Sequence, residues 1–334
     1  MKNHRSLLAA AVALPAAGLI LAGCGSSTAS ESTEADSAAI SVVATTNVYG
    51  QIARAIGGES VEVSEIITSA AQDPHSYEPT ARDKLAISNA TLVLANGGGY
   101  DQFMDSLVSS IPEGKAGEIT LVHAVDSSPV AEESEAAGHE GESAEEHAQH
   151  AEEDSHEGHD HAAYNEHIWY DLESMGDLAD ALAESFGKAD SANAEQYQQN
   201  AASFNEGIDK LEQQLETAKL DGKSFVMTEP VPFHLLHAAG MEDATPEGLS
   251  EAIEEGEGIA PITMKKAEDL LSAGGADMLA YNVQTEGSET KALKKSAEQG
   301  QVPVVDFAET IQDDSSYLEW MESNISDLAS AING

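Results

Sequence analysis

Twelve histidines and 60 carboxylates stand against 15 lysines and arginines, so binding of divalent cations is the chemistry for which this chain is best equipped. Two of the histidines sit in compact motifs. Asp73-Pro74-His75-Ser76-Tyr77-Glu78-Pro79-Thr80 and Asn165-Glu166-His167-Ile168-Trp169-Tyr170-Asp171 each surround one imidazole with carboxylate and aromatic side chains. Six more, His139, His147, His150, His156, His159 and His161, fall between Glu132 and His161, a stretch that also carries 12 Asp and Glu. Neutral imidazoles among carboxylates make a flexible ligand set for zinc, nickel or copper. A solvated loop would account for the acids alone, but six histidines so close together favour metal capture. The single cysteine, Cys24, excludes an intramolecular disulfide and a thiolate zinc site, so any metal must use His, Asp and Glu. A metallohydrolase is a poor alternative: His156-Glu157-Gly158-His159 lacks the His-Glu-x-x-His spacing, and Asn96-Gly97-Gly98-Gly99 lacks the lysine of a phosphate-cradling loop.

These residues must be positioned by elements that the apolar pattern outlines. Short β-branched runs cover 40–46, 61–67, 91–95 and 119–125 in the first half, and 224–228, 277–282 and 302–306 in the second. Strands separated by helix-length segments predict parallel α/β sheets, and 334 residues suggest two domains. Both histidine motifs lie in connecting loops, the first after the strand 61–67 and the second before a helix opening near Leu172; ligand-binding loops of such sheets lie at the strands' carboxyl ends. Between the halves, Tyr197, Ala201, Phe204, Ile208, Leu211 and Leu215 recur at helical spacing. This predicts one long helix within 191–220, joining a first lobe over 40–190 to a second over 221–334. An ordinary surface helix on one lobe would show the same stripe. The stretch 132–161, with no Lys or Arg between Lys115 and Lys188, is too polar to order itself and is expected to be a disordered loop inserted in the first lobe.

The amino terminus predicts an extracytoplasmic protein. Lys2 and Arg5 precede an apolar run from Ser6 to Gly23, the pattern of a secretory signal peptide over 1–23. The alternative, an uncleaved anchor, is disfavoured by Pro15 and by the small residues that end the run. Leu21-Ala22-Gly23-Cys24 resembles a bacterial lipobox, which implies cleavage before Cys24 and its acylation. Residues 24–39 then read as a flexible tether at the outer face of the cell membrane. The leader's only charges are Lys2 and Arg5, so the mature chain has 13 basic against 60 acidic residues, a net −47. Such acidity repels nucleic acid and anionic lipid. Since 12 acids belong to the loop, most of the charge lies on the lobes, and a surface adapted to high salt is the suspected reason.

Taken together, the lipobox, tether, two His motifs, acidic insertion and connecting helix resemble the zinc/manganese solute-binding lipoproteins of ABC importers, the cluster A-I family. The resemblance covers nearly the whole mature chain. It implies two parallel-sheet α/β lobes joined by a long rigid helix, with one metal ion in the cleft between lobes, delivered to a permease and its ATPase by a monomer. His75 and His167 would be the first-lobe ligands. Glu229, in Thr228-Glu229-Pro230, matches the third ligand, commonly His in zinc importers and Glu in manganese importers. Glu309 stands where the family usually has Asp; Glu286 competes for that role, and Asp306 more weakly. His234 and His237, on a helix starting near Val231, would share a face turned to cleft or core; either in place of Glu229 would make a three-histidine site. Two imidazoles and two carboxylates balance a dication and suit zinc, favoured by affinity order and the His-rich loop. Manganese, favoured by Glu229, is the alternative. Ligating imidazoles must be neutral, so affinity should fall as pH drops toward about 6.5. A surface metal buffer or adhesin without a transporter would share every motif.

Overall fold

The computed structural model describes residues 40–69, 71–72, 74–130 and 164–334. The leader, Cys24, the tether and the six loop histidines lie outside the described residues. Two four-stranded sheets form, each wholly parallel. In the first, β1 (Ile40–Thr46), β2 (Val61–Ile67), β3 (Leu92–Ala95) and β4 (Thr120–His123) take the order β2-β1-β3-β4. In the second, β5 (Ser224–Met227), β6 (Glu242–Asp243), β7 (Met278–Asn282) and β8 (Val304–Phe307) take the equivalent order β6-β5-β7-β8. Two of the central strands are buried throughout: every residue of Leu92–Ala95 and Met278–Asn282 is buried, as expected for strands covered on both faces.

The seven strands expected from β-branched runs all form, within three residues at each end. The eighth, Glu242–Asp243, is two exposed acidic residues paired with Ser224 and Phe225. It has no hydrophobic signal because it is an edge held by backbone bonds alone. Helices α1 (Asn47–Gly57), α2 (Ala81–Ser88), α3 (Gln102–Ser109), α4 (Glu113–Ala116) and α5 (Leu172–Ala189) belong to the first half. Asp171 caps α5 by accepting from Ser174 N at 3.2 Å, which fixes where the chain turns away from the second His motif.

The connecting helix α6 (Ala194–Thr217) buries the predicted stripe from Tyr197 to Leu215 and no other residue. At 24 residues it is roughly 36 Å long. It packs against α1, α5 and the last helix, α11 (Tyr317–Asn333). Gly207, the one glycine on it, is where α11 comes closest: a Cβ there would lie 2.5 Å from Leu318 Cδ1. One continuous apolar core runs from Ile40 and Leu94 through Trp169 and Phe204 to Met278 and Phe307, so both lobes share it. Smaller cores cover the outer face of each sheet. The remaining helices, α7 (Phe233–Ala238), α8 (Ser250–Glu254), α9 (Pro261–Ser272) and α10 (Ser288–Gly300), belong to the second half. Among the described residues no helix is long and apolar enough to cross a membrane.

Candidate metal centre

The carboxyl ends of both sheets face one cleft. Asn96, directly after β3, anchors the first wall. It donates through Nδ2 to Gly97 O at 2.8 Å and to Glu166 O at 3.0 Å, tying the β3 loop to the residue before His167. Asp101 accepts from the backbone N–H groups of Asn96 at 2.7 Å and Gly97 at 2.9 Å. Burial raises its carboxyl from 3.8 to about 6 against the opposing effect of those bonds. The pinned turn presents Tyr100 to the cleft, its ring edge-on to His75 with centroids 5.0 Å apart and 5.9 Å from the ring of His167.

The structure brings His75 and His167 together, with ring centroids 6.2 Å apart. His75 arrives on the loop after β2. His167 precedes a short 3-10 turn, Ile168–Tyr170, whose three residues are buried. Asn165 sets its ring: Oδ1 accepts from His167 N at 3.0 Å and contacts Nδ1 at 2.7 Å, while Nδ2 donates to Pro230 O of the second lobe at 2.7 Å. A backbone N–H can only donate and a carbonyl can only accept, so the orientation of this amide is determined. The Nδ1 atom therefore carries the hydrogen, and the lone pair of the neutral ring is on Nε2. Burial lowers the pKa of His167; the charges of Glu166 and Glu309 act against that shift.

Nε2 of His167 faces Glu254 Oε1 at 3.1 Å, and Nε2 of His75 lies 3.8 Å from the same oxygen. Each of the three residues offers one ligand atom, and these atoms lie within 4.8 Å of one another. Side-chain exposure is 15% for His75, 1% for His167 and 11% for Glu254, so the group is nearly closed from solvent. Sequence reasoning missed Glu254. It lies in Glu254-Glu255-Gly256-Glu257, one acid among many, without spacing relative to either His motif.

Glu229 and Glu309 form a second group beside the first. Nδ2 of the buried Asn282 donates to both, to Glu229 Oε2 and, at 3.0 Å, to Glu309 Oε1. The Thr285 hydroxyl donates to Glu229 Oε1, and the Tyr100 hydroxyl to Glu309 Oε2 at 3.1 Å. Burial and the Glu309 charge raise the pKa of Tyr100 well above its ordinary value, which keeps it a donor. Glu286 turns away, accepting from Tyr281 at 2.9 Å and pairing with Lys291 at 3.5 Å. Asp306 is an exposed partner of Lys294.

The two helix histidines are not both turned inward. His234 is buried and donates from Nε2 to Asn165 O at 2.8 Å, whereas His237 is exposed and stacks on Phe233 with centroids 5.7 Å apart. The six-residue helix begins at Phe233, and a separation of three residues leaves the two rings about 60° apart around its axis. Further ties cross between the halves: Tyr170 donates to Ala308 O at 2.9 Å, Tyr317 to Trp169 O at 2.9 Å, and Asn47 exchanges two bonds with Ile311 at 2.7 and 3.0 Å.

Known proteins share this fold. The periplasmic zinc-binding protein TroA from Treponema pallidum superposes with a TM-score of 0.65 at 18% identity, covering 87% of this chain and 98% of that one. The substrate-binding protein FpvC from Pseudomonas aeruginosa, solved in complex with Mn2+, gives 0.65 at 20% identity over 88% and 98%. In sequence, the manganese-binding lipoprotein MntA from Halalkalibacterium halodurans is 22% identical over 94% of this chain and 95% of its own length. The manganese ABC transporter substrate-binding lipoprotein PsaA from Streptococcus pneumoniae is 25% identical over the full length of both. These relatives bind and carry rather than catalyse, and the chain is a binding protein, not an enzyme. The family model of ZnuA, the periplasmic component A of the zinc-uptake complex, matches residues 42–331, and the chain belongs to that family of metal-binding ABC-transporter components.

Proposed function

We propose that this protein captures one divalent transition-metal ion in the cleft, zinc in preference to manganese, and delivers it to the permease and ATPase of an ABC importer. One observation carries the reading: two imidazoles from separate loops of one sheet, His167 buried and His75 partly buried, converge on one carboxylate. Nitrogen donors and the affinity order favour zinc. Glu229, and the manganese named for MntA and PsaA, support manganese as the second cargo. Glu229 and Glu309, both held by Asn282 and the latter also by Tyr100, supply the charge that offsets a dication. The word lipoprotein in the relatives' names supports acylation of Cys24, with 24–39 as the tether at the outer face of the membrane. In this reading the monomer needs no partner but its transporter, and the histidines of 132–161 collect metal for the cleft.

Competitive titration of the full chain with zinc and manganese tests the reading. The tightest zinc equivalent should weaken more than about a hundredfold in His75→Ala and in His167→Ala, because loss of an outer-shell partner alone costs 10–100-fold. Unchanged affinity in both variants would overturn it.

A further inference from the structure

We infer that Asn47 and Tyr170 of the first lobe are positioning residues for Glu309 of the second, setting that carboxylate in register with the imidazoles by holding the main chain on either side of it. The inference rests on the proposed reading of the cleft as a metal site, and it names side chains that align one half of that site with the other.

Strand β8 ends at Phe307, and Ala308, Glu309, Thr310 and Ile311 continue as a loop whose four residues are all buried. A buried loop must satisfy its backbone polar groups away from water. Here side chains do so. Ala308 N donates to the Tyr170 hydroxyl at 3.3 Å, Glu309 N and Thr310 N to Gln284 Oε1 at 2.7 and 2.9 Å, and Ile311 N to Asn47 Oδ1 at 3.0 Å. On the carbonyl side, the Tyr170 hydroxyl donates to Ala308 O at 2.9 Å and Asn47 Nδ2 to Ile311 O at 2.7 Å. One first-lobe side chain thus grips each end of the loop through both its donor and its acceptor. Gln284 is the second lobe's own support between them.

Both grips come from the part of the first lobe that presents the histidines. Tyr170 closes the 3-10 turn Ile168–Tyr170 directly after His167, so one short turn carries an imidazole at one end and holds the neighbour of Glu309 at the other. The Tyr170 ring packs against Phe307 and Trp320, with centroids 5.8 and 5.3 Å away, which fixes where its hydroxyl stands. Asn47 opens α1 directly after β1, at the end of the sheet that faces the cleft. A planar amide that both accepts from and donates to one residue sets orientation as well as distance. The carboxylate itself is held from the same side, Oε2 of Glu309 accepting from Tyr100 at 3.1 Å. Cohesion of the lobes does not require this loop, because the shared apolar core already joins them. In this arrangement the loop moves with the first lobe although its chain belongs to the second, and Glu309 keeps its place relative to His75 and His167.

A double-mutant cycle read by zinc competition on the full chain tests the inference. Asn47→Ala and Tyr170→Phe are measured in the parent and in Glu309→Gln. Asn200→Ala is the control, because Asn200 Nδ2 donates to Ile56 O at 2.8 Å and joins the connecting helix to α1 away from the cleft. Circular dichroism of the metal-free proteins establishes folding. In the parent, Asn47→Ala and Tyr170→Phe are each expected to weaken zinc binding about tenfold, the lower end of the loss that follows removal of a donor's support. In Glu309→Gln the same changes should cost less than about threefold, because the donor they place is already impaired. Asn200→Ala should bind as the parent does. Equal losses in both backgrounds, a comparable loss in Asn200→Ala, or parental affinity in Glu309→Gln or in both Asn47→Ala and Tyr170→Phe would overturn the inference and leave the functional reading standing. A parent chain that takes up no zinc would overturn both. If Asn47→Ala does not fold, Tyr170→Phe decides alone, since it removes one hydroxyl and keeps the ring.

Discussion

Asn165 offers the sharpest test of how ligand geometry and lobe contact are linked. Its side chain makes three bonds: two to His167 and one across the cleft to Pro230 O, beside Glu229. Asn165→Ala removes all three. At about 1 kcal/mol each the loss is roughly 3 kcal/mol of stability, and freeing the His167 ring should weaken zinc binding by about 10–100-fold. Asn165→Asp separates the two roles. One carboxylate oxygen still accepts from His167 N and Nδ1, whereas the other meets the carbonyl of Pro230, where acceptor faces acceptor. The Asp variant should therefore keep zinc affinity within a few-fold of the parent while losing stability comparable to the Ala variant. Zinc competition against a chromogenic chelator, with urea denaturation of the metal-free proteins, measures both quantities. An Ala variant with parental affinity, or an Asp variant as weak as Ala, would refute the claim that Asn165 acts by fixing the His167 tautomer.

Zinc affinity should fall as pH drops, because ligation needs neutral imidazole. Burial lowers the pKa of His167, so its share of the loss should begin below about pH 6.5 and steepen further down; calorimetry from pH 7.5 to 4.5 that shows no loss excludes both histidines as ligands. Gly256→Ala should cost about 1–2 kcal/mol, since φ is 65° and a Cβ would meet open space, leaving backbone strain as the only penalty. Urea denaturation that leaves Gly256→Ala at the parental midpoint would contradict that strain. Deleting 132–161 should slow metal uptake by cells under scarcity yet leave cleft affinity nearly unchanged; a large fall in affinity would show that the segment contributes ligands to the cleft.

Much of this was legible in the chain. β1 and β2 coincide with the β-branched runs 40–46 and 61–67, and the stripe Tyr197 to Leu215 is the buried face of the connecting helix. Such elements are readable because burial on a regular period leaves a regular pattern. Glu254 left none. Its position depends on where a five-residue helix stops, and the only local sign was the glycine two residues on. Asn165 and Asn282 were equally silent, because an amide that bridges two chain segments shows its value only when both segments are in place. The pairing of His234 and His237 failed for a related reason: a helix of six residues is too short for spacing alone to tell which face is buried.

The repeated strand order has a further consequence. In each sheet a buried asparagine stands at the carboxyl end of the third strand, Asn96 just after β3 and Asn282 closing β7, and each organises its own wall of the cleft. The first wall offers nitrogen and the second oxygen. A cation held as proposed would meet a softer face and a harder face built on separate, equivalent scaffolds. Preference among metals then becomes modular: exchanging donors on one half retunes selectivity without disturbing the other, a route by which a single architecture can be redirected from one transition metal to the next.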